Sequence, residues 1–232
     1  MADRCLLYYI TDRSQFRGDE STRRRDLLAK VSEAARARVD YIQLRERDLS
    51  AGELETMARD ALAAIRDNTP LHTEHRDLRP DRELKTRLLI NSRTDVALAV
   101  DADGVHLHAD DVTPGEVRHV LEVSAHQLRT TDHFLVAASC HTVADVFRAE
   151  SERADFAVFA PVFGKSSAPG TQPAGLFALR EACRAKIPVL ALGGITVENA
   201  ASCRGAGSAG VAGIRLFQEN KIEGVVRALR AL

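Results

Sequence analysis

Arg45 and Arg47 flank Glu46 in the string YIQLRER, and in an extended chain residues two apart project to the same side. Two guanidinium groups held together suit a polyanion such as a diphosphate, which each can grip through paired hydrogen bonds. The alternative for the pair is a surface ion-pair cluster. Asp110 and Asp111, in DGVHLHADD, offer hard carboxylate oxygens of the kind that hold Mg2+ against a diphosphate, or else the start of a helix. Gly193 and Gly194 allow a backbone to approach an oxyanion closely, and Arg215 adds a cation; the bland alternative is a tight turn and an ion pair. His106 and His141 are candidates for proton transfer near neutral pH, or hydrogen-bonded core residues.

The string FAPVFGKSSAPGTQPAG ends its first half in Gly164-Lys165-Ser166, the close of a nucleotide-binding P-loop. That pattern requires a second glycine where Phe159 stands, and a bulky side chain there would block the converging N–H groups. A P-loop is therefore excluded. Any phosphate near this loop must be held from another direction.

These residues need a scaffold, and the apolar pattern supplies one. Eight short runs recur: 6–11, 41–46, 87–92, 104–108, 135–140, 156–162, 188–194 and 210–217. Between them lie segments with apolar residues at helical spacing, such as STRRRDLLAKVSEAARARV and SAGELETMARDALAAIRD, while TVENAASCRGAG predicts a helix starting at Thr196. Strands alternating with helices at this length predict a single-domain (β/α)8 barrel over residues 1–232. No Gly-x-Gly-x-x-Gly follows the first strand, which argues against a dinucleotide fold. The charged stretch 68–86 reads as an insertion before the third strand, on the face opposite the chemistry, so His72 and His75 are expected to be solvated. In such a barrel the C-terminal strand ends carry the site, and the candidate arginines, aspartates, glycines, His106 and His141 fall at or near those ends.

The chain has 232 residues and a net charge of -1, with no basic excess that would point to nucleic acid or an anionic membrane. Small molecules, or a second copy of the chain in a homodimer, are the expected partners. Cys5, Cys140, Cys183 and Cys203 are too scattered for a zinc site or a disulfide framework. With no signal-like or membrane-length apolar run, a cytoplasmic protein is expected.

Taken together, YYITDR, YIQLRER, LLINSRTDVALAV, DGVHLHADD, AASCHT, FAVFAPVFGKSS, IPVLALGGIT and AGSAGVAGI resemble the thiamin phosphate synthase and TenI family, in order and spacing, from about Leu7 to Phe217. The resemblance implies coupling of hydroxymethylpyrimidine diphosphate to thiazole phosphate, with Mg2+ as cofactor. It implies that Gln43 through Arg47 and Asn91 contact the pyrimidine diphosphate, that Asp111 is a metal ligand, and that Ser139 is a contact on strand five. Gly193, Gly194, Ile214 and Arg215 match the thiazole phosphate loops. The chain departs from the synthase pattern at Ser92, where a second metal aspartate is usual, and at Arg47 in place of lysine. After strand six, Lys165, Ser167 and Ala168 stand for Thr-x-Thr-Lys. TenI-type thiazole tautomerases are the second implied activity; Pro161 occupies the place of their histidine, and His141 is the candidate to replace it. A non-catalytic binder of thiazole or thiamin phosphate is the third.

Overall fold

The computed structural model describes residues 4–68, 85–123, 134–164 and 172–232. Within them the eight apolar runs form parallel strands that close in sequence order into a barrel. β1 is Leu6–Ile10, β2 Tyr41–Leu44, β3 Arg87–Asn91, β4 Gly104–Leu107, β5 Leu135–Cys140, β6 Phe156–Phe159, β7 Val189–Ala191 and β8 Gly210–Gly213. The helices are α1 Glu20–Arg36, α2 Ala51–Asn68, α3 Thr94–Ala99, α4 Pro114–Val123, α5 Val143–Ser151, α6 Gly175–Ala182, α7 Ala200–Gly205, α8 Arg215–Gln218 and α9 Ile222–Arg230. The (β/α)8 barrel is the fold of this chain.

Local chemistry sets the helix starts. Asp19 accepts the Thr22 N–H at 2.9 Å ahead of α1, and Thr142 and Asp145 form a reciprocal capping box ahead of α5. Thr196 does not begin α7. Its hydroxyl and the Asn199 side chain bond each other's backbone N–H in a turn, and the helix starts only at Ala200. Neither does Asp110 or Asp111 begin α4, where Thr113 and Glu116 exchange the capping bonds.

The period of two along each strand divides the chain between two cores. Leu7, Tyr9, Ile42, Leu44, Leu88 and Ile90 face outward onto the helices and join the large outer core. Tyr8, Ile10, Leu89, Ala137, Phe156, Val158, Leu190 and Ala212 fill the barrel interior. Tyr41 stacks on Phe156 with ring centroids 4.9 Å apart, and Tyr8 meets both rings edge-on. The same inward series, continued toward the C-terminal ends, changes from apolar to polar at Gln43, Asn91, His106 and Ser139. Burial of alternate residues thus determines which polar groups share one space.

Most runs leave the sheet earlier than their apolar pattern suggests. β6 ends at Phe159 rather than at residue 162, and the last run ends at Gly213, so Arg215 opens α8 instead of closing a strand. The insertion proposed at 68–86 lies, except for its edges, outside the described residues, as do His72 and His75. All four cysteines are free thiols. Among the described residues no helix is long and apolar enough to cross a membrane.

Candidate active site

At the C-terminal mouth of the barrel is a cavity of roughly 390 Å³. Gln43, Arg45, Arg47, Asn91, Ser139, His141, Gly193, Gly194, Ile214 and Arg215 all line it, with His106, His108 and Gln15. Ile10, Val158, Leu192 and Ala212 make its floor. Asp111 stands apart: it borders an adjoining cleft with Asn91, Ser92, Arg93, Asp110 and Glu46, joined to the cavity through Arg47, Asn91 and His108. Lys165 and Ser167 lie outside the described residues.

Arg45 and Arg47 do project to one side, and the reason is the residue between them. Glu46 turns away from the cavity and is buried, accepting the Thr11 hydroxyl at 2.6 Å, the Arg13 N–H at 3.0 Å and the Arg13 guanidinium at 3.1 Å. Thr11 in turn accepts the Arg45 N–H at 3.0 Å. Burial pushes the Glu46 carboxyl up, while the bonds from Thr11 and Arg13 pull it down. Arg13 also grips Asp48 through two bonds of 2.7 and 2.8 Å and Glu20 through one of 2.6 Å. The ends of β1 and β2 are thereby locked together beneath the two arginines. Replacing Arg13 by methionine strands a buried carboxylate, with an expected loss of about 3–5 kcal/mol in urea unfolding. The double change Arg13→Met with Glu46→Gln is expected to recover part of that loss.

Arg45 itself is half-buried, and its guanidinium makes no hydrogen bond or salt bridge among the described residues, with Asp12 and Glu46 acting on it only at longer range. Burial, then the neighbouring Arg47 charge, lowers its pKa. Arg47 lies 3.3 Å from His108 Nε2. Gln43 donates to Asn91 Oδ1 at 2.9 Å, and Asn91 donates to Ser92 Oγ at 3.0 Å, an amide chain that orients the end of β3. Asp111 accepts the His108 N–H at 2.6 Å, which ties its loop to the end of β4. His141 Nδ1 is 2.8 Å from the carbonyl oxygen of Ala160. A carbonyl only accepts, so Nδ1 carries the proton and Nε2 of the neutral ring is left as an acceptor.

His106 is enclosed between Tyr8 and Ser139, with Nδ1 3.1 Å from the Tyr8 hydroxyl and Nε2 2.8 Å from Ser139 Oγ. Burial, with smaller contributions from His108 and Arg45, pushes its pKa down to about 3. An unfolded histidine takes a proton near pH 6.5, so below that pH the unfolded chain binds the extra proton. The histidine's contribution to stability is therefore complete above about pH 6.5 and shrinks by about 1.4 kcal/mol per unit as pH falls toward 3. Urea midpoints measured between pH 7 and 5 are expected to fall for the native protein and to fall less for His106→Asn.

Gly193 and Gly194 have φ of +100° and +64°, the left-handed region that glycine tolerates. A Cβ on Gly193 would lie 2.7 Å from the Pro161 Cα, and one on Gly194 2.7 Å from the Gly164 carbonyl oxygen. The loop after β6 is laced onto them, Val162 donating to the Leu192 carbonyl at 2.8 Å and Phe163 to that of Gly193 at 3.0 Å.

Over residues 7–217 the chain matches the family described as thiamine monophosphate synthase. It belongs to that family. The thiamine-phosphate synthase of Methanoculleus marisnigri is 35% identical over 227 residues, covering 97% of this chain and 93% of that protein. The enzyme of the same name in Syntrophomonas wolfei is 33% identical, covering 97% and 95%. Among solved structures, thiamine phosphate pyrophosphorylase from Pyrococcus furiosus superposes with a TM-score of 0.73 at 25% identity, covering 99% of this chain and 95% of that one. Within this family frame, sequence reasoning found the cavity's cations, hydroxyl and glycines. It missed Gln15 as a lining residue, Tyr8 as the partner of His106 in the barrel interior, and the Thr11–Glu46–Arg13 lock. Tyr8 carried no polar signal, since LLYYIT reads as core.

Proposed function

We propose that this chain is a thiamine-phosphate synthase, joining hydroxymethylpyrimidine diphosphate to thiazole phosphate. One observation carries the reading: a half-buried Arg45 without a salt bridge among the described residues, beside Arg47 and Asn91, occupies one arc of a cavity whose other arc is built from Gly193, Gly194 and Arg215. Two anion-holding arcs around one space suit two phosphorylated substrates. In the reaction the bond from the pyrimidine methylene carbon to diphosphate breaks, and the thiazole nitrogen lone pair forms the new C–N bond. Arg45, Arg47 and Asn91 hold the departing diphosphate, whose charge grows as the bond breaks. Gly193, Gly194 and Arg215 hold the thiazole phosphate and aim its ring nitrogen at the carbon. The Ile10, Val158, Leu192 and Ala212 floor keeps water from the cation-like centre.

Among the described residues no group of His, Cys, Asp and Glu could cage a metal unaided. The Asp111 carboxylate, with Asp110 and the Ser92 hydroxyl on the same cleft, nevertheless forms a hard-oxygen set of the kind Mg2+ accepts when a substrate diphosphate and water complete its shell. When bound, Mg2+ would neutralise part of the diphosphate charge. Ser92 contributes a neutral oxygen where a second carboxylate would add charge, so a weak metal site is expected.

A second reading, thiazole phosphate tautomerisation, is favoured by the His141 ring, whose Nε2 acceptor borders the same cavity. Incubating the protein with both synthase substrates, with and without Mg2+, and following thiamin phosphate and diphosphate tests the primary proposal. Mg-dependent formation of both products supports it. Tautomer conversion without coupling supports the second reading, and calorimetric binding without either reaction leaves a carrier.

A further inference from the structure

The barrel interior contains a three-member chain whose hydrogen-bond polarity can be deduced atom by atom. Tyr8 is fully buried, and among the described residues its hydroxyl has one partner, His106 Nδ1 at 3.1 Å. A phenol has one proton, and a buried hydroxyl that fails to donate costs more than a bond made. The Tyr8 O–H therefore donates and Nδ1 accepts. His106 is neutral, so its single ring proton is on Nε2, which donates to Ser139 Oγ at 2.8 Å. Ser139 then accepts from below, and its own proton has no acceptor among the described residues. It faces the cavity that Ser139 lines.

We propose that Tyr8 and His106 are positioning residues that hold Ser139 with its hydroxyl proton directed toward the ligand, favouring an anionic acceptor oxygen at that point. The inference rests on the reading above only for the identity of the ligand. The lock itself is a property of the free protein. The preference follows from bond counting: with Nε2–H donating to Oγ, the Ser139 proton is left unsatisfied unless a ligand oxygen accepts it. His141, two residues further on, has the opposite polarity, with its bound proton on Nδ1 and its acceptor outward. β5 thus ends by presenting a donor and an acceptor of defined sense to one cavity.

Nitrogen-15 NMR of the histidine side chains in the unliganded protein reads the lock directly. His106 is expected to show a protonated Nε2 and an acceptor-type Nδ1; a proton on Nδ1 overturns the proposal. Tyr8→Phe keeps the ring and removes only the donor, and it is expected to shift the Nδ1 resonance toward that of an unbonded acceptor. Inorganic diphosphate, titrated by calorimetry, is expected to bind Tyr8→Phe about tenfold more weakly than the native protein. The same change made on Ser139→Ala is expected to add almost nothing, since the serine it acts through is gone. An equal loss in both backgrounds means that Tyr8 acts by packing alone and overturns the proposal. If the native protein fails to bind diphosphate, the ligand assignment falls with the synthase reading, while the native tautomer still decides the lock. That native spectrum also decides it if Tyr8→Phe does not fold.

Discussion

Arg45→Met is expected to lower kcat/KM for the pyrimidine diphosphate by about 10²–10³-fold while leaving the unliganded protein as stable as before, or more so. The two halves of that expectation have one cause. The guanidinium is half-buried with Arg47 beside it and makes no salt bridge among the described residues, so the empty site bears a desolvation and repulsion that the charges of Asp12 and Glu46 offset only in part. Bound diphosphate repays this, since each charge-assisted hydrogen bond contributes about 1.5–3 kcal/mol. Two such bonds near the lower end of that range account for the predicted rate loss, at about 1.4 kcal/mol per factor of ten. Methionine preserves most of the packed stem and removes the charge. Steady-state kinetics and a urea midpoint on the same preparation check both parts. A large fall in stability, or kinetics that do not change, would show that Arg45 is structural.

Gly193→Ala should be the most damaging small substitution at the mouth, costing about 2–6 kcal/mol. Its φ of +100° is strained for any residue with a Cβ, which contributes about 1–3 kcal/mol. The added methyl would also lie 2.7 Å from the Cα and the Cβ of Pro161, where backbone rather than a flexible side chain must move, adding about 1–3 kcal/mol. Relief means separating the loop after β6 from the end of β7, and so breaking the Phe163 to Gly193 bond. A urea midpoint gives the energetic cost. The KM for thiazole phosphate is expected to rise at least tenfold in whatever protein folds, because Gly193 and Gly194 shape that arc. A stable variant with unchanged KM would remove these glycines from the phosphate site.

How legible the molecule was depends on the range of each interaction. β5 is 135–140 as its apolar run suggests, because all six residues stay in the ladder. β6, β7 and β8 stop short of their runs because their last residues leave the ladder to form the mouth, and apolar pattern does not distinguish a strand residue from one lining a cavity. Thr196 reads as a helix start but is none, for a related reason: its hydroxyl closes a turn with Asn199, and sequence shows the capping residue without showing which structure it caps.

Glu46 is the clearest case of a partner hidden from sequence. In YIQLRER it stands between two arginines and suggests local pairing, yet it pairs with Arg13, whose position depends on closure of β1 against β2. Asp111 shows the converse. Its family position is readable, but the fold places it in the adjoining cleft, bonded to the His108 N–H.

By itself the sequence determined the barrel, the arc of cations, the glycine pair and the family, because these rest on period, spacing and residue type along short stretches. Only the tertiary structure decided contacts: which atoms meet the ring nitrogens of His106 and His141, which way Glu46 turns, and that Arg45 makes no salt bridge among the described residues. Those properties depend on partners brought within about 3 Å by closure of the sheet, as when Tyr8 meets His106 across 98 residues of chain. A hydrogen bond's direction is a property of the pair, and neither residue carries it alone.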